Sequence, residues 1–316
     1  MATKLPAQFD HSDWSTAVVA VTVTYNSADV LTEFLDSVRA QNSDWRLVVV
    51  DNCSSDATRK MLAAAAAADP RIHLILSQEN TGFSAGTNIG IRAALEHNAQ
   101  SILLLNNDTV FEPNLFSGLS SALSTSDAAA VSPLIVFADA PDRIWYAGGH
   151  IERRRGLHNI HEHSEEDVAV LTRQAFATEF CPACCMLFRA DVFKDLGLLD
   201  EDFFVYWEDA EFCDRMIRHD AAIVVVPALR LRHKASSLTG GSTSPFYIDH
   251  YHRNRIVFLR KTASAIPAAY ATMLIVAAIF RGALSGRDHW QVSRRRLRAV
   301  GRGLVAKLSP APQASG

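Results

Sequence analysis

From residue 17 to residue 108 short β-branched runs alternate with longer runs of helical period, which restricts the chain to an α/β fold around a mostly parallel sheet. "AVVAVTVTYN" (17–26) is strand-like, and "ADVLTEFLDSVRAQ" behind it has the period of a helix. "WRLVVVDNCSSDATRKMLAAAAAADP" repeats the unit: a strand, a polar turn and an alanine-rich helix stopped at Pro70. "RIHLILS" is a third strand, a helix is predicted from about Thr87 to Asn98, and "SILLLNND" is a fourth strand. Open α/β sheets bind ligands at the carboxyl ends of their strands. "LLLNNDT" (103–109) therefore presents Asn106, Asn107 and Asp108 where a crevice opens, as half of a metal and phosphate site.

After about residue 130 the alternation loosens. "WYAGGHIERRRGLHNIHEHSEED" has little hydrophobic period and reads as a flexible or acceptor-side loop. His158, His161 and His163 lie in this polar stretch, where solvated loop histidines are a better reading than metal ligands. "FCPACCMLFRADVF" resumes strand then helix, "FFVYWEDAEFCDRMIRHD" contains a helix opening near Glu208, and "AAIVVVP" is another strand. "ASAIPAAYATMLIVAAIF" (263–280) is apolar, but its core is short of the ~20 residues that span a bilayer, and Pro267 interrupts its start.

A chain of 316 residues holds one large α/β domain or two modest ones. Its formal charge of −3 hides an asymmetry: from Arg281 onward eight Lys and Arg face the single Asp288, leaving the preceding part near −10. Such a tail suits an anionic surface, and no nucleic-acid reading motif accompanies it. No charged segment with an apolar core and cleavage site opens the sequence, so a cytoplasmic location is expected. Cys53, Cys181, Cys184, Cys185 and Cys213 form no even framework and read as reduced thiols. "CPACC" lacks the second ligand pair of a structural zinc site.

The turn "TVTYNSADV" has no glycine, which excludes the dinucleotide fingerprint after the first strand. "TGFSAGTNIG" (81–90) lacks the Lys-Ser/Thr of a P-loop; its glycines are read as permitting backbone to approach a ligand, ahead of a helix N-terminus that suits phosphate or sugar. "DEDFFVYWEDAEFCDR" is densely acidic but lacks the glycine of a calcium loop. Glu211 and Asp214 are read as a solvated helix face with a charge complement to the helix dipole. Glu208 and Asp209 differ, because Phe203, Phe204, Tyr206 and Trp207 would keep water from a carboxylate beside them. Either is a candidate general base.

These stretches together resemble a family. "VTVTYN", "VVVDNCSSD", "NTGFSAGTNIGI", "LLLNNDT", "CMLFRADVF", "DEDFFVYWEDAEFCDRMIRHDAAIVVVP" and "LRHKASS" look like the successive motifs of family-2 inverting glycosyltransferases of the GT-A fold, most of all the bacterial rhamnosyl- and galactofuranosyltransferase branch. Each motif is weak alone; seven in order, over roughly three quarters of the chain, are specific. The resemblance implies a GT-A domain over residues 1–260, with a nucleotide-sugar half at about 17–135 and an acceptor half at about 136–260. A helical, basic, membrane-associating extension would follow at 261–316.

It also implies roles. Asn106, Asn107 and Asp108 match the D-x-D-type motif with an amide in place of the first acid, leaving Asp108 to bind Mg²⁺ or Mn²⁺. His233 matches the histidine that completes the metal site, and an imidazole favours Mn²⁺. Thr24, Tyr25, Asn26 and Asp51 would line the nucleotide pocket, Gly82, Phe83 and Asn88 would lie against the diphosphate-sugar, and Asn106 would touch the nucleotide. Asp209 matches the catalytic base, Trp207 and Glu208 would contact acceptor or donor sugar, and Arg253 and Asn254 belong to a further motif on the acceptor side. The donor would be a dTDP or UDP sugar, with dTDP-L-rhamnose favoured over galactofuranose, galactose or glucose. The acceptor would be a glycan or a polyprenyl-diphosphate-linked glycan, and residues 263–280 with Arg294, Arg295, Arg296 and Arg298 would meet an anionic membrane surface, against the alternative of a core helix and a solvated tail. Two rivals from other classes are a nucleotidyltransferase, which would carry a glycine-rich basic loop after the first strand, and a non-catalytic sugar-nucleotide-binding module, which would have little use for both Asp108 and Asp209.

Overall fold

The computed structural model describes residues 13–152, 158–172, 174–234, 241, 243–310 and 312. The chain runs β1 (Val18–Thr24), α1 (Ala28–Arg39), β2 (Trp45–Asp51), α2 (Thr58–Ala68), β3 (Ile72–Leu76), α3 (Gly82–Glu96), β4 (Ser101–Leu105), β5 (Thr109–Phe111), α4 (Leu115–Ser124) and β6 (Ala130–Phe137). It continues with β7 (Ile144–Tyr146), β8 (Gly149–Glu152), β9 (His158–His161), β10 (Phe176–Thr178), β11 (Cys185–Arg189), α5 (Asp191–Leu196), α6 (Glu208–Arg218) and β12 (Ile223–His233). Three helices close the chain: α7 (Pro245–Thr262), α8 (Ala265–Leu284) and α9 (Trp290–Val305).

Among the described residues the main sheet has the order β10-β12-β6-β11-β4-β1-β2-β3, with β5 on β12 and β7 on β6. Strands β3, β2, β1 and β4 are parallel; β11 runs antiparallel between β4 and β6. Strand order reverses at β1, so the crevice of a doubly wound sheet opens between the carboxyl ends of β1 and β4. Burial on both faces explains the unbroken apolar runs: Leu47, Val48, Val49 and Val50 of β2 are all fully buried.

Several expectations need correction. Helix α3 opens at Gly82 rather than near Thr87, because Asn52 Nδ2 donates to the Gly82 carbonyl (2.7 Å) and Phe83 N donates to the Phe204 carbonyl (2.6 Å). Gly82 has φ +88, and a Cβ there would strike the Phe204 backbone. The close approach this glycine permits is therefore to protein, not to a ligand. The stretch read as a loop after residue 144 contains β7 and the antiparallel pair β8–β9; residues 153–157 lie outside the described residues, as do the His158 side chain and Ala235, Ser236 and Ser237 of the "LRHKASS" motif. His161 is no solvated loop histidine: its Nδ1 lies 3.0 Å from the Trp145 carbonyl, and its ring packs against Trp145, Tyr146 and Phe180.

Glu211 and Asp214 are buried, not solvated. Glu211 holds a two-pronged pair with Arg215 (2.6 and 3.1 Å), whose Nη1 also donates to the Leu196 and Leu198 carbonyls. Asp214 pairs with Arg218 at 2.5 Å. Single-residue pattern reading misses this because the partners lie one turn away on the same helix and seal the carboxylates from water. The apolar stretch near residue 270 is also longer than expected: α8 has 20 residues, with a mean hydropathy of 1.6 over its 18-residue apolar window, long and apolar enough to cross a membrane by length and composition, and only 22% of that window is buried. Pro267 falls in its first turn, where a missing N–H removes no helical hydrogen bond.

Candidate functional site

Four loops at the carboxyl edge of the sheet build the site. The first two are tied to each other. Thr24 Oγ1 donates to Asp51 Oδ1 (3.2 Å) across the β1–β2 register, and Asn26, at φ 50, accepts from Ser55 N (2.8 Å) while its own N–H donates to Ser54 Oγ (2.9 Å). Asp51 is fully buried and also accepts from Arg59 Nε (2.7 Å) and Ser54 N (3.1 Å). Tyr25 is exposed at the lip. Arg59 and Asn52 had no local sequence signal: one acts from the first turn of α2, the other reaches across to α3.

The third loop follows β4. Asn107 is buried and turns inward, donating to the Val23 carbonyl (3.0 Å) and Ser27 Oγ (3.1 Å), so it locks this turn onto β1. Asn106 is half-buried and donates its N–H to the Cys184 carbonyl (2.9 Å). Asp108 stands beside His233, because β5 pairs antiparallel with the end of β12 and sets Thr109 opposite His233. Asp108 Oδ1 and His233 Nε2 are 3.2 Å apart, both buried, with the His233 ring edge-on to Trp145 at 4.4 Å. Neighbouring corners of an octahedral shell with ligands at about 2.1 Å are roughly 3 Å apart, so this carboxylate–imidazole pair fits one divalent ion. Among the described residues no group of three or more His, Cys, Asp or Glu could hold a metal. Substrate oxygens and water would be suitable further ligands.

The fourth loop precedes α6. Tyr206 (φ 67) and Trp207 (φ 76) both occupy the left-handed region, a costly conformation for aromatic residues that surrounding structure must impose. Asn254, fully buried on α7, imposes it by donating to the Val205 (2.8 Å) and Tyr206 (3.1 Å) carbonyls; Arg253 donates to the Asp202 carbonyl (2.9 Å) and to Asn254 Oδ1 (2.5 Å). Trp207 is buried between Tyr251 and Phe258. Asn88, also buried, holds the same segment by donating to the Leu199 carbonyl (2.8 Å) and Glu201 Oε1 (2.9 Å) and accepting from Leu199 N (3.0 Å). Asn88, Asn107, Arg253 and Asn254 thus all bond within the protein.

The kinked loop delivers Glu208 and Asp209 to the first turn of α6. Burial pushes the Glu208 carboxyl well above its ordinary range, and the neighbouring Asp209 charge pushes it further. Glu208 Oε2 is buried and has no hydrogen-bond partner among the described residues. Burial also raises Asp209, but only to about 6, because the backbone N–H groups of Ala210 (2.8 Å) and Ala183 favour its charged form. Of the two, Glu208 is the one on which the neighbouring charge adds to burial, so its environment favours the neutral form. Paired carboxyls held apart in this way separate neutral and basic roles.

Residues 181–185 join the two acidic centres. Burial lifts the Cys184 thiol well above its ordinary value, and the charges of both Asp108 and Asp209 act on it in the same direction. Its carbonyl accepts from Asn106 and the preceding Ala183 N–H faces Asp209. All five cysteines are free, four of them buried, as expected for ordinary packing residues. What sequence reading missed is that this loop bridges one end of the site to the other.

The family profile described as Glycosyl transferase family 2 matches residues 19–197. The dTDP-rhamnosyl transferase RfbF of Shigella flexneri is 26% identical over 257 residues, covering 79% of this chain and 81% of that protein. The N-acetylglucosaminyl-diphospho-decaprenol L-rhamnosyltransferase of Mycobacterium tuberculosis is 25% identical over 312 residues, covering 87% and 95%. Two solved structures share the GT-A fold. GalNAc-T7 with UDP, GalNAc and Mn²⁺ superposes with a TM-score of 0.65 at 14% identity, over 92% of this chain and 56% of that one. The mannosyltransferase PcManGT from Pyrobaculum calidifontis with GDP-Man and Mn²⁺ gives 0.58 at 15% identity, over 96% and 91%.

Proposed function

The chain belongs to glycosyl transferase family 2, in its rhamnosyl- and galactofuranosyltransferase branch, and from that premise we propose that it transfers a sugar, rhamnose before others, from a nucleoside-diphosphate donor to a hydroxyl of a lipid-linked glycan, with inversion. The observation that supports this reading is a backbone contact: the turn carrying Asp108 is bonded through Asn106 to the Cys184 carbonyl, and the preceding Ala183 N–H faces Asp209, so the two acids stand on loops that touch. Membership of a glycosyltransferase family sets aside the nucleotidyltransferase and the binding module.

In this reading residues 17–135 hold the nucleotide and residues 136–260 the acceptor. Thr24, Tyr25, Asn26 and Asp51 border the base and ribose, with Phe83 along the donor sugar and Gly82 behind it, packed on Phe204. Asp108 and His233 would hold a divalent ion, Mn²⁺ or Mg²⁺; when bound, it neutralises charge that develops on the departing diphosphate. Asp209 accepts the proton of the acceptor hydroxyl as its oxygen attacks the anomeric carbon and the bond to the diphosphate breaks. Glu208, neutral at that moment, avoids a second negative charge beside the base. Asn254, Arg253 and Asn88 act at one remove, by fixing the loop that aims Asp209. The choice of rhamnose and of a lipid-diphosphate acceptor draws on the printed functions of the Shigella and Mycobacterium relatives. A peripheral membrane position for residues 261–316 is supported by the largely uncovered apolar helix α8.

The test is a thermal-shift screen of dTDP-rhamnose, UDP-galactofuranose, UDP-galactose and UDP-glucose, with and without Mn²⁺. A ligand that binds only the folded chain raises its melting temperature. Stabilisation by dTDP-rhamnose above the others, larger with Mn²⁺, is expected; no stabilisation by any nucleotide sugar would refute the reading.

A further inference from the structure

We infer that an arginine-lined cleft between α7 and α9 is a binding site for a phosphate group carried on a lipid. The inference rests on the proposed lipid-linked acceptor only for the choice between two sources of that phosphate.

The cleft has a volume of about 360 Å³ and is lined by Asp249 of α7 and by Gln291, Arg294, Arg295, Arg298 and Arg302 of α9. Arg294, Arg298 and Arg302 follow one another at i, i+4 spacing and so stand in one row. Asp249 pairs with Arg295 and with Arg302 (2.8 Å), which fixes two guanidinium groups in place. Arg294 and Arg298 are exposed and form no ion pair among the described residues. Four guanidinium groups against one carboxylate on one helix face repel each other unless an anion joins them. Their planar forks match the oxygens of a phosphate or diphosphate.

The lipid follows from α8, which lines no part of the cleft but packs against α9 in the same three-helix extension. Helix α8 buries Ala271, Ile275 and Ile279 against the body and turns Ile266, Tyr270, Met273, Phe280 and Leu284 outward in a second apolar stripe. Ile266 and Leu284, at its two ends, are 84% and 87% exposed. A helix apolar on both sides calls for an apolar covering on both. An apolar groove of about 650 Å³ with Ala268, Ala269, Met273 and Leu304 on its walls runs between α8 and α9. Exposed Trp290, the amphipathic residue favoured at a bilayer surface, stands one helical turn before Arg294. A phosphate in the cleft and acyl or prenyl chains along α8 satisfy both surfaces at once.

Flotation of the full chain with vesicles tests this in EDTA, with neutral phosphatidylcholine, with added phosphatidylglycerol, and with an added polyprenyl diphosphate. Wild type is expected to float with vesicles that carry phosphate-bearing anionic lipid and to be released by inorganic pyrophosphate. Arg294→Gln/Arg298→Gln should bind about thirtyfold more weakly, from the typical contribution of two basic residues near an anionic surface. A control with Arg39→Gln/Lys60→Gln should bind as wild type. Ile266→Glu/Leu284→Glu should lose flotation yet keep the rise in melting temperature that pyrophosphate gives, which separates a lost anchor from a misfolded chain. Binding to phosphatidylglycerol vesicles assigns the site to bilayer headgroups; binding only with the polyprenyl diphosphate assigns it to an acceptor's diphosphate. Wild-type binding by the arginine variant, or no flotation of wild type with either anionic lipid, would overturn the proposal. Neither measurement needs a sugar donor, so a failed donor screen leaves this site standing, and a failed flotation leaves sugar transfer standing.

Discussion

The N–H of Asn106 donates to the carbonyl of Cys184 at 2.9 Å, across 78 positions of sequence. This bond joins the turn carrying Asp108 to the loop whose Ala183 N–H faces Asp209. It is a backbone contact, so substitution of either acidic side chain leaves it in place.

Asp209→Asn removes the proposed proton acceptor but keeps the shape. Turnover should fall by roughly 10²–10⁴-fold, while donor affinity by calorimetry stays within about twofold of wild type. Retained turnover would reassign the base.

Asp209 also governs pH dependence. Its carboxyl is raised to about 6, so kcat/KM should climb with pH through that value and level above it. For stability the direction is opposite. A carboxyl raised on folding contributes most below its unfolded value and loses that contribution as pH rises through about 6. Asp209→Asn should therefore match wild type near pH 4 and be more stable at pH 8, by on the order of 2 kcal/mol, as read from urea midpoints.

Asp108→Ala and His233→Ala each leave a single protein ligand at the proposed metal position. In both, the extra donor affinity given by Mn²⁺ should vanish while metal-free donor binding remains. A Mn²⁺ effect on donor binding that survives in Asp108→Ala would remove that residue from the site.

Asn254→Ala deletes two buried hydrogen bonds to the left-handed loop at Val205 and Tyr206. A loss of about 1–3 kcal/mol in stability is expected, with kcat reduced and donor KM unchanged, because the loop aims Asp209 and makes no part of the nucleotide pocket. A larger effect on donor KM than on kcat would contradict this positioning role.

Gly82→Ala puts a Cβ against the Phe204 backbone at a position with φ +88. Strain and overlap together should cost about 1–3 kcal/mol. Unchanged stability would show that the α3–Phe204 contact is loose.

Much of this was legible in the residue string. The runs 18–24, 45–51, 72–76 and 101–105 read as strands because each is short, apolar and followed by a helical period, and those signals are local. The position of Asp108 at a strand's carboxyl end followed from the same pattern, since the sheet type dictates where its crevice opens. The β8–β9 pair and the buried carboxylates of Glu211 and Asp214 were not legible, because polar residues there are sealed by partners that no local pattern reveals.

By itself, then, the residue order determined the alternating α/β frame, the acids at its loop ends and the charge contrast between body and tail, since these depend on neighbours within a helical turn or a strand. Tertiary structure alone decided that Glu208 and Asp209 are buried in unlike surroundings, and that Asn88, Asn107 and Asn254 bind protein. Those outcomes depend on burial and on hydrogen bonds between residues tens to more than a hundred positions apart, as from Asn88 to Leu199.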